Sequence, residues 1–405
     1  MDMAKPTIRF KGYQDDWEQR KLGDVVEDYV EKTTVEDQYP VLTSSQRKGI
    51  VLQDDFFAGD RVNQNGNIGY FIIPRGYFAF RSRSDNDVFV FNRNDAVDMG
   101  IISYFYPVFK PRGVDSDFLL RRLNYGLEDQ IKINSEGTGQ HVLSLKKFKN
   151  MIGLFPSYEE QKKIGSYFSQ IDHLITLHQR KCDETKRLKK YMFQKMFPQN
   201  GEKVPEIRFS GFTDDWEQRK VTDLGEIYIG LVTTMTEHYT DKGHLLIRNS
   251  DIKDGYFEFG ENPIYLDEEF SEQNKSRMHQ LGDVITVHTG DIGTSAVIGE
   301  NEVNSIGFAT IVTRPNQEIL DSNYFATYLN TDTHKQWAIS MATGDGRSNY
   351  NLKDYTKLVV PIPEIEEQKK IATCIVNLNS LITLHQRELE NLQNIKKFML
   401  GKMFV

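Results

Sequence analysis

Five polar segments carry the side chains in this sequence that could recognise a nucleic acid. They are TSSQRKG (43–49) and RSRSDN (81–86) in the first half, and IRNSDIKDG (247–255), HTGDIG (288–293) and TGDGRSNYN (343–351) in the second. Arg, Asn and Gln can form bidentate hydrogen bonds with base edges, whereas Ser, Thr and Lys suit phosphate groups. Taken alone, any one such segment is more often ordinary solvated surface than a binding site. Their presence in both halves favours recognition only modestly.

The candidate DNA-contacting residues are chosen from these segments by residue chemistry alone. In the first half they are Ser44, Ser45, Gln46, Arg47, Lys48, Arg81 and Arg83. In the second half they are Arg248, Asn249, Ser250, His288, Thr289, Arg347, Ser348 and Asn349. The two sets align only loosely, so base-contacting positions cannot be transferred from one half to the other.

The sequence lacks the common catalytic and metal-binding patterns. It has no GxxxxGK[ST] loop, no Gly-rich strand-to-helix turn suited to a dinucleotide or methyl-donor cofactor, no NPPY-like tetrapeptide, no HExxH and no paired Cys motif. His178 and His385 both belong to a repeated LITLHQR segment, which favours packing or hydrogen bonding over proton transfer. We therefore expect a protein that is not catalytic by itself and that needs no cofactor or metal of its own.

Two near-copies of one long helical segment are available to position these loops. Residues 159–197 and 366–404 align without a gap at an offset of 207, and 19 of 39 positions are identical. Apolar residues recur at steps of three and four, and Pro interrupts neither copy. About 38 residues at 1.5 Å each give roughly 57 Å of helix. A helix of this length needs a partner for its apolar stripe, and the other copy can serve as that partner.

The repeated helices supply the residues predicted for helix pairing and subunit docking. These are Gln161, Ile164, Phe168, Ile171, Ile175, His178, Gln368, Ile371, Ile375, Leu378, Ile382 and His385. Identity at Gln161, Lys162 and Arg180, positions taken as solvent-facing, indicates a shared external partner. The alternative is two unrelated surface helices on separate domains.

Each half also begins with the same segment. IRFKGYQDDWEQRKLGD (8–24) returns as IRFSGFTDDWEQRKVTD (207–223) with 12 of 17 residues identical, and we expect Trp17 and Trp216 to be packing anchors. Between opening and helix, short runs rich in Tyr, Phe, Val and Ile predict strands. Short helices are expected as well, such as 116–131 and 321–341.

Composition bounds the class of protein. The 405 residues, with 39% hydrophobic content, suffice for two or more domains. The net charge of −8 divides into +4 over 158–197, +2 over 365–405 and −14 elsewhere, so DNA binding by bulk charge alone is excluded. The sequence has no 18-residue apolar run and no secretion signal, which favours a soluble cytoplasmic protein. Cys182 and Cys374 are expected to be reduced thiols.

This order of segments resembles the specificity subunit of type I restriction–modification enzymes. The resemblance rests on the paired helices beginning EEQKKI, each after a Pro-containing step, and on the G-T-G and T-G-D-G turns (137–139 and 343–346). The openings DDWEQRKLGD and DDWEQRKVTD add to it. It covers essentially the whole chain, and the specific feature is the twofold set in this order.

The resemblance implies an α+β fold with an internal pseudo-twofold repeat. Two mainly-β target-recognition domains, 1–157 and 207–363, would be joined by two long conserved helices, 158–197 and 364–405, packed as an antiparallel coiled coil. Residues 198–206, which are rich in Pro and Gly, would be the linker.

The resemblance also implies a function and a set of partners. Each domain would read one half of an asymmetric bipartite site on double-stranded DNA, and the helices would set the spacing and dock methyltransferase subunits, two per chain. Motor–nuclease subunits would join through the complex. S-adenosylmethionine would belong to the methyltransferase partner, and ATP with Mg²⁺ to the motor–nuclease. The alternative is a non-catalytic adaptor that presents two β domains to protein partners.

Overall fold

The computed structural model describes residues 5–57, 66–86, 88–137, 140–199, 201–342 and 349–404. The chain divides into two compact units, which we call the first unit (Met1–His178 with Glu388–Val405) and the second unit (Gln179–Arg387). The predicted α+β fold class is confirmed, because each unit combines short strands with segments of two long helices. In the described part of the chain, no helix is long and apolar enough to cross a membrane.

The described residues of the first unit form two four-stranded sheets and two strand pairs. The strands are β1 (Glu18–Lys21), β2 (Val26–Tyr29), β3 (Val41–Ser45), β4 (Gly49–Leu52), β5 (Phe71–Pro74), β6 (Phe78–Phe80), β7 (Arg83–Ser84), β8 (Phe91–Arg93), β9 (Met99–Ile102), β10 (Val108–Pro111), β11 (His141–Val142) and β12 (Ile152–Phe155). The sheet orders are β2-β10-β6-β8 and β4-β3-β9-β5, with β1 beside β12 and β11 beside β7.

Short helices complete the first unit before the first long helix begins. They are α1 (Leu22–Val25), α2 (Gln53–Phe57), α3 (Ser116–Asn124), α4 (Glu128–Asn134) and α5 (Leu145–Asn150), followed by the long helix α6 (Tyr158–Lys195). The predicted single helix over 116–131 is wrong, because the chain breaks between α3 and α4. Gly126 stands there with a φ of +77°, a left-handed conformation that ends a helix and favours glycine.

The second unit repeats the first sheet and the closing strand pair of this plan, and its other strands are arranged differently. Its strands are β13 (Glu217–Lys220), β14 (Gly225–Ile229), β15 (Tyr239–Thr240), β16 (His244–Arg248), β17 (Ile252–Lys253), β18 (Tyr256–Phe257), β19 (Tyr265–Leu266), β20 (Val284–Thr286), β21 (Ser295–Val297), β22 (Ile306–Phe308), β23 (Ile311–Pro315) and β24 (Val359–Ile362). The sheet orders are β14-β23-β20-β21 and β15-β19-β16-β22, with pairs β13–β24 and β17–β18.

The helices of the second unit show a similar break. They are α7 (Glu268–Gln273), α8 (Ser322–Leu329), α9 (Asp332–Met341), α10 (Leu352–Tyr355) and the long helix α11 (Ile365–Met403), with 3₁₀ turns at Val221–Asp223, Thr236–His238, Asn249–Asp251 and Lys275–Arg277. The predicted helix over 321–341 is divided, because the hydroxyl of Thr331 accepts a bond from the His334 amide and starts a new helix.

Equivalent strands form the shared part of this plan in the two units despite their unlike sequences. Lys110-Pro111 ends β10, which lies beside β2, and Arg314-Pro315 ends β23, which lies beside β14. The strand after the opening pairs antiparallel with the strand before the long helix in both units. The internal repeat predicted from the sequence is therefore confirmed in the fold.

An aromatic core joins sheet, opening and helices within each unit. In the first unit Trp17, which is 3% exposed, packs edge-on against Phe118 and Phe404. In the second unit Trp216, 2% exposed, packs in the same way against Phe197 and Tyr324. The prediction that both tryptophans are packing anchors is confirmed.

The two long helices contribute opposite ends to each core. In the first unit Phe168, near the start of α6, packs against Phe404, which follows the end of α11. Further along α6, Asp172 forms a salt bridge of 2.7 Å with Lys396, which lies earlier on α11. These two contacts give the helices an antiparallel orientation within the first unit.

Candidate nucleic-acid interface

The first unit gathers all seven of its candidate DNA-contacting residues around one groove. The groove has a volume of about 580 Å³, and its lining includes Ser44, Ser45, Gln46, Arg47, Lys48, Arg81 and Arg83. Four of these side chains are cations, and Asp85 adds a carboxylate to the same lining. We call this groove, with its cations, the first polar surface. Its local charge is positive although the chain as a whole is acidic.

The hairpin between β3 and β4 builds one wall of the first polar surface. The hydroxyl of Ser45 accepts bonds of 3.2 Å from the backbone amides of Arg47 and Lys48, which fixes a tight turn. Asn92 donates to the Ser44 hydroxyl at 2.8 Å and to the Ser45 carbonyl at 3.0 Å. The two serines therefore position the hairpin tip, and the side chains of residues 46–48 are exposed around it.

Residues 81–84 build the opposite wall. Arg81 and Arg83 are exposed, and the guanidinium of Arg83 lies 4.9 Å from the centre of the Phe105 ring. A planar guanidinium held over an aromatic ring keeps its outer N–H groups free for bidentate bonds. Within the described ranges, none of the four cations of this surface forms a salt bridge. Their charge is therefore available to phosphates or base edges.

A second cavity continues this surface toward the long helices. It has a volume of about 470 Å³ and shares Gln46, Arg47 and Asn92 with the groove. Its far side carries Arg121 and Lys396, which bind opposite oxygens of the Asp172 carboxylate at 2.5 and 2.7 Å. Two cations against one carboxylate leave this stretch positive as well.

The second unit also brings its described candidates together. Asn249 accepts a bond of 2.8 Å from the backbone amide of His288. The hydroxyl of Thr289 lies 2.7 Å from His288 Nδ1 and donates to Asn349 at 2.8 Å. We call this network, together with Arg248 and Ser250, the second polar surface. Candidates Arg347 and Ser348 lie outside the described residues.

Two members of the second polar surface are strongly engaged within the chain. Arg248 binds the buried carboxylate of Asp251 at 2.9 and 3.0 Å, and this pairing raises the pKa of the guanidinium. Burial lowers the pKa of His288, so its ring is neutral at pH 7 and acts through hydrogen bonds. Among the described candidates, the second polar surface therefore has fewer unpaired cations than the first.

The prediction that Gln161 faces solvent is wrong, whereas Lys162 and Arg180 are exposed as predicted. Gln368, the equivalent of Gln161 in the second long helix, is buried as well. Gln161 is 2% exposed and Gln368 is 0% exposed. Gln161 accepts from the Asp115 amide at 3.0 Å and donates to the Pro156 carbonyl at 2.9 Å. Gln368 makes the matching bonds to Asp321 and to the Pro363 carbonyl, each at 2.9 Å. Both therefore tie a long helix to its own β domain rather than to a partner.

The other predicted helix residues divide into buried and half-buried groups. The buried ones are Ile164, Phe168, Ile171, Ile371, Ile375 and Leu378. The half-buried ones are Ile175, His178, Ile382 and His385. The first group is occupied by the cores of the units, so surface for an external partner must come from other positions.

A buried ion pair that the sequence reasoning missed joins opening and helix in each unit. Arg9 binds Glu160 through two bonds of 2.7 Å, and Arg208 binds Glu367 at 2.8 and 2.9 Å. Both carboxylates are fully buried. The signal was present, because the Arg of IRF and the second Glu of EEQ are retained in both copies.

Comparison with known proteins places the chain in a family. The sequence model described as "Type I restriction modification DNA specificity domain" matches residues 14–187 and again residues 213–394. These two matches cover most of the chain, one in each half. The chain therefore belongs to the type I restriction–modification DNA specificity family.

Individual relatives agree with this assignment. The type I restriction enzyme MjaVIII specificity subunit of Methanocaldococcus jannaschii is 22% identical over 280 residues, which is 67% of this chain and 65% of that protein. This chain thus spans just under two thirds of that relative's length. A solved S subunit of a type I restriction–modification system from M. genitalium has a TM-score of 0.62 at 13% identity, with 99% of each chain covered. At that identity the likeness shows the fold.

Proposed function

We propose that this chain is the DNA sequence-specificity subunit of a type I restriction–modification complex. The observation that carries the proposal is the first polar surface, where seven residues chosen for their DNA chemistry meet in one groove with four cations. The membership of both halves in the DNA specificity family supports it. Residues 1–157 and 207–363 would each read one half of a bipartite site on double-stranded DNA.

The difference between the two polar surfaces supports an asymmetric target. The first presents Arg47, Lys48, Arg81 and Arg83 around a groove, whereas the second is a network of hydroxyl and amide groups with Arg248 paired to a carboxylate. Guanidinium groups favour guanine, and amides favour adenine. Two unlike surfaces would therefore read unlike half-sites.

Exposed apolar residues at matching positions of the two helices support two equivalent docking surfaces. Leu174, Leu188 and Tyr191 on α6 correspond, at the offset of 207, to Leu381, Ile395 and Phe398 on α11. All six are 40–56% exposed. Their recurrence at equivalent positions of the two helices, rather than their exposure alone, supports a repeated contact surface. One set of three, Leu174 with Ile395 and Phe398, belongs to the first unit, and the other set belongs to the second. Each set would bind one methyltransferase subunit.

The chain would recognise DNA and leave the chemistry to its partners. Among the described residues there is no group of three or more His, Cys, Asp and Glu side chains that could hold a metal. The methyltransferase subunits would carry S-adenosylmethionine, and motor–nuclease subunits with ATP and Mg²⁺ would join through the complex. Positive charge from the partners would offset the acidic balance of this chain.

An exchange of one reader tests the function. Residues 22–151 are replaced by the matching segment of a related subunit, which leaves the β1–β12 strand pair and the Arg9–Glu160 ion pair in place. Methylated sites are then mapped across the genome of cells that express the chain with its partners. One half-site should change while the other half-site and the gap persist. Unaltered methylation would favour the protein adaptor instead.

Docking is tested separately on size-exclusion chromatography with light scattering. Leu174→Asp with Phe398→Ser alters the first unit's docking set, and Leu381→Asp with Tyr191→Ser alters the second. Each pair should reduce the complex from two methyltransferase subunits to one, and all four changes together should abolish it. A complex of unchanged mass with all four changes would contradict the docking proposal.

A further inference from the structure

Each unit has an exposed aromatic ring at an equivalent position near its polar surface. Tyr104 is 60% exposed and Phe308 is 40% exposed. Single exposed apolar residues are common and need no explanation by themselves. These two rings, however, occupy the same position in the two units, and this shared position requires an explanation.

Both rings lie at the same register of equivalent strand pairs, Tyr104 just after β9 and Phe308 at the end of β22. In the first unit β3 runs parallel to β9 with Leu42 opposite Ile102, and in the second β16 runs parallel to β22 with Leu246 opposite Ile306. The exposed aromatic comes two residues after the isoleucine in each case. The sequence offset is 204 rather than the 207 of the helices, so only the fold reveals the equivalence.

The first ring is fixed beside the cations of the first polar surface. Ser82 bonds the Phe105 carbonyl through its amide at 3.0 Å and its hydroxyl at 2.9 Å, which ties this loop to the segment 81–84. The Tyr104 and Phe105 rings lie 4.3 Å apart, and Phe105 supports the Arg83 guanidinium. Phe105 therefore contacts both the Tyr104 ring and the Arg83 guanidinium.

The second ring is fixed to the second polar surface by an equivalent device. Arg248 lies opposite Phe308 in the β16–β22 register, and the Asn249 amide donates to the carbonyls of Phe308 and Ala309 at 3.4 and 3.3 Å. Ala309 has a φ of +50°, a left-handed conformation that residues other than glycine rarely adopt. Such strain is retained where the surrounding structure specifies it, and it clusters at binding sites.

We propose that Tyr104 and Phe308 are apolar base contacts, one for each half of the DNA target. This inference rests on the proposed function and assigns the residues through which each unit touches a base. The polar surfaces would hold the phosphates and base edges, and the ring offers an apolar face that can pack on a thymine methyl group at a base edge. Such a contact adds affinity without changing the number of neutralised phosphates.

Binding by the assembled methyltransferase complex tests the assignment. Tyr104→Ala and Phe308→Ala are compared with wild type on the mapped target, and on duplexes with the first or second half-site scrambled. Each substitution should weaken target binding by about 5- to 100-fold, as expected for loss of one contact to a base pair of the duplex. The slope of log affinity against log salt should stay unchanged. On a duplex in which the half-site read by the altered unit is scrambled, the variant and wild type should bind with equal affinity. Tyr104→Phe should bind the target like wild type.

Controls separate this inference from the proposed function. Ile133→Ala and Leu281→Ala, at side chains 80% and 64% exposed and outside the polar loops, should bind DNA like wild type. If wild type prefers its target and both alanine variants bind that target with wild-type affinity, the assignment of the aromatic contacts is wrong and the proposed function is unaffected. If an alanine variant loses methyltransferase subunits instead of DNA affinity, the ring serves a protein contact and the inference fails. A wild-type complex without preference among the duplexes would overturn the function itself.

Discussion

The buried pair of Arg9 and Glu160 gives the sharpest test of how the frame of each unit holds together. Removing one partner of a buried ion pair typically costs about 3–5 kcal/mol, because the other charge is left without compensation. The side chain of Glu160 is fully buried, whereas that of Arg9 is 13% exposed. The cost should therefore depend on which partner is removed.

Arg9→Met leaves the carboxylate in a dry site, and we expect the unfolding free energy to fall by about 3 kcal/mol. The expectation lies at the low end of the range because Glu160 stands in the first turn of α6, where the helix N-terminus stabilises an anion. Glu160→Gln should cost about 1–2 kcal/mol, because the Arg9 guanidinium can reach water. Changing both residues to Met should cost less than the sum of the single changes.

Urea unfolding measures the free energies, and hydrogen exchange of the segments 8–21 and 152–168 locates the loss in the first unit. Arg208→Met is the matched control, since it breaks the equivalent pair with Glu367 and should loosen the second unit by a similar amount. Equal costs for the two single changes, with strict additivity in the double variant, would refute the reasoning about an uncompensated buried carboxylate.

Three further predictions follow from the geometry. Gln161→Ala should lower the unfolding free energy by about 1–3 kcal/mol, because it leaves buried backbone groups unbonded; thermal unfolding checks this. Arg47→Ala and Arg83→Ala should each reduce the salt slope of DNA binding by roughly 1 in a titration series, if each neutralises one phosphate. Burial lowers the pKa of His279 to about 3 and of His334 to about 4, below their ordinary 6.5. Stability from these neutral rings is present above pH 6.5 and lost as pH falls toward those values, so the second unit should open first in hydrogen exchange at pH 5.

The long helices could be predicted from the sequence because periodicity and a gap-free repeat are local signals. The helical periodicity also indicates that Gln161 is buried. This residue lies three positions before Ile164 and seven before Phe168, on the buried face of α6. Its polarity suggested solvent, yet a buried amide is stable when its donor and acceptor both find partners, as here. Residue type alone therefore misled, whereas position on the stripe was informative.

Residue types identify the polar loops in the sequence, but they do not predict which loops lie close together in the folded domain. Residues 44–48 and 81–83 line one groove although β3 and β7 belong to different sheets, and no local sequence pattern specifies that arrangement. The roles within the loops were equally hidden. Ser44 and Ser45 look like phosphate ligands in a sequence, yet their hydroxyls accept bonds that shape the hairpin tip.

In each unit the opening segment contacts the segment that leads into the long helix, and this contact has a genetic consequence. The opening strand pairs with the strand before the long helix, and the opening arginine binds the helix glutamate, in both units alike. We therefore expect the segment between these ends to be exchangeable with that of a relative that keeps its contacts with the long helices, such as the bond from Asp115 to Gln161. A crossover between two genes within the repeated frame would thus bring together compatible ends, and new target specificities could arise in a single recombination event.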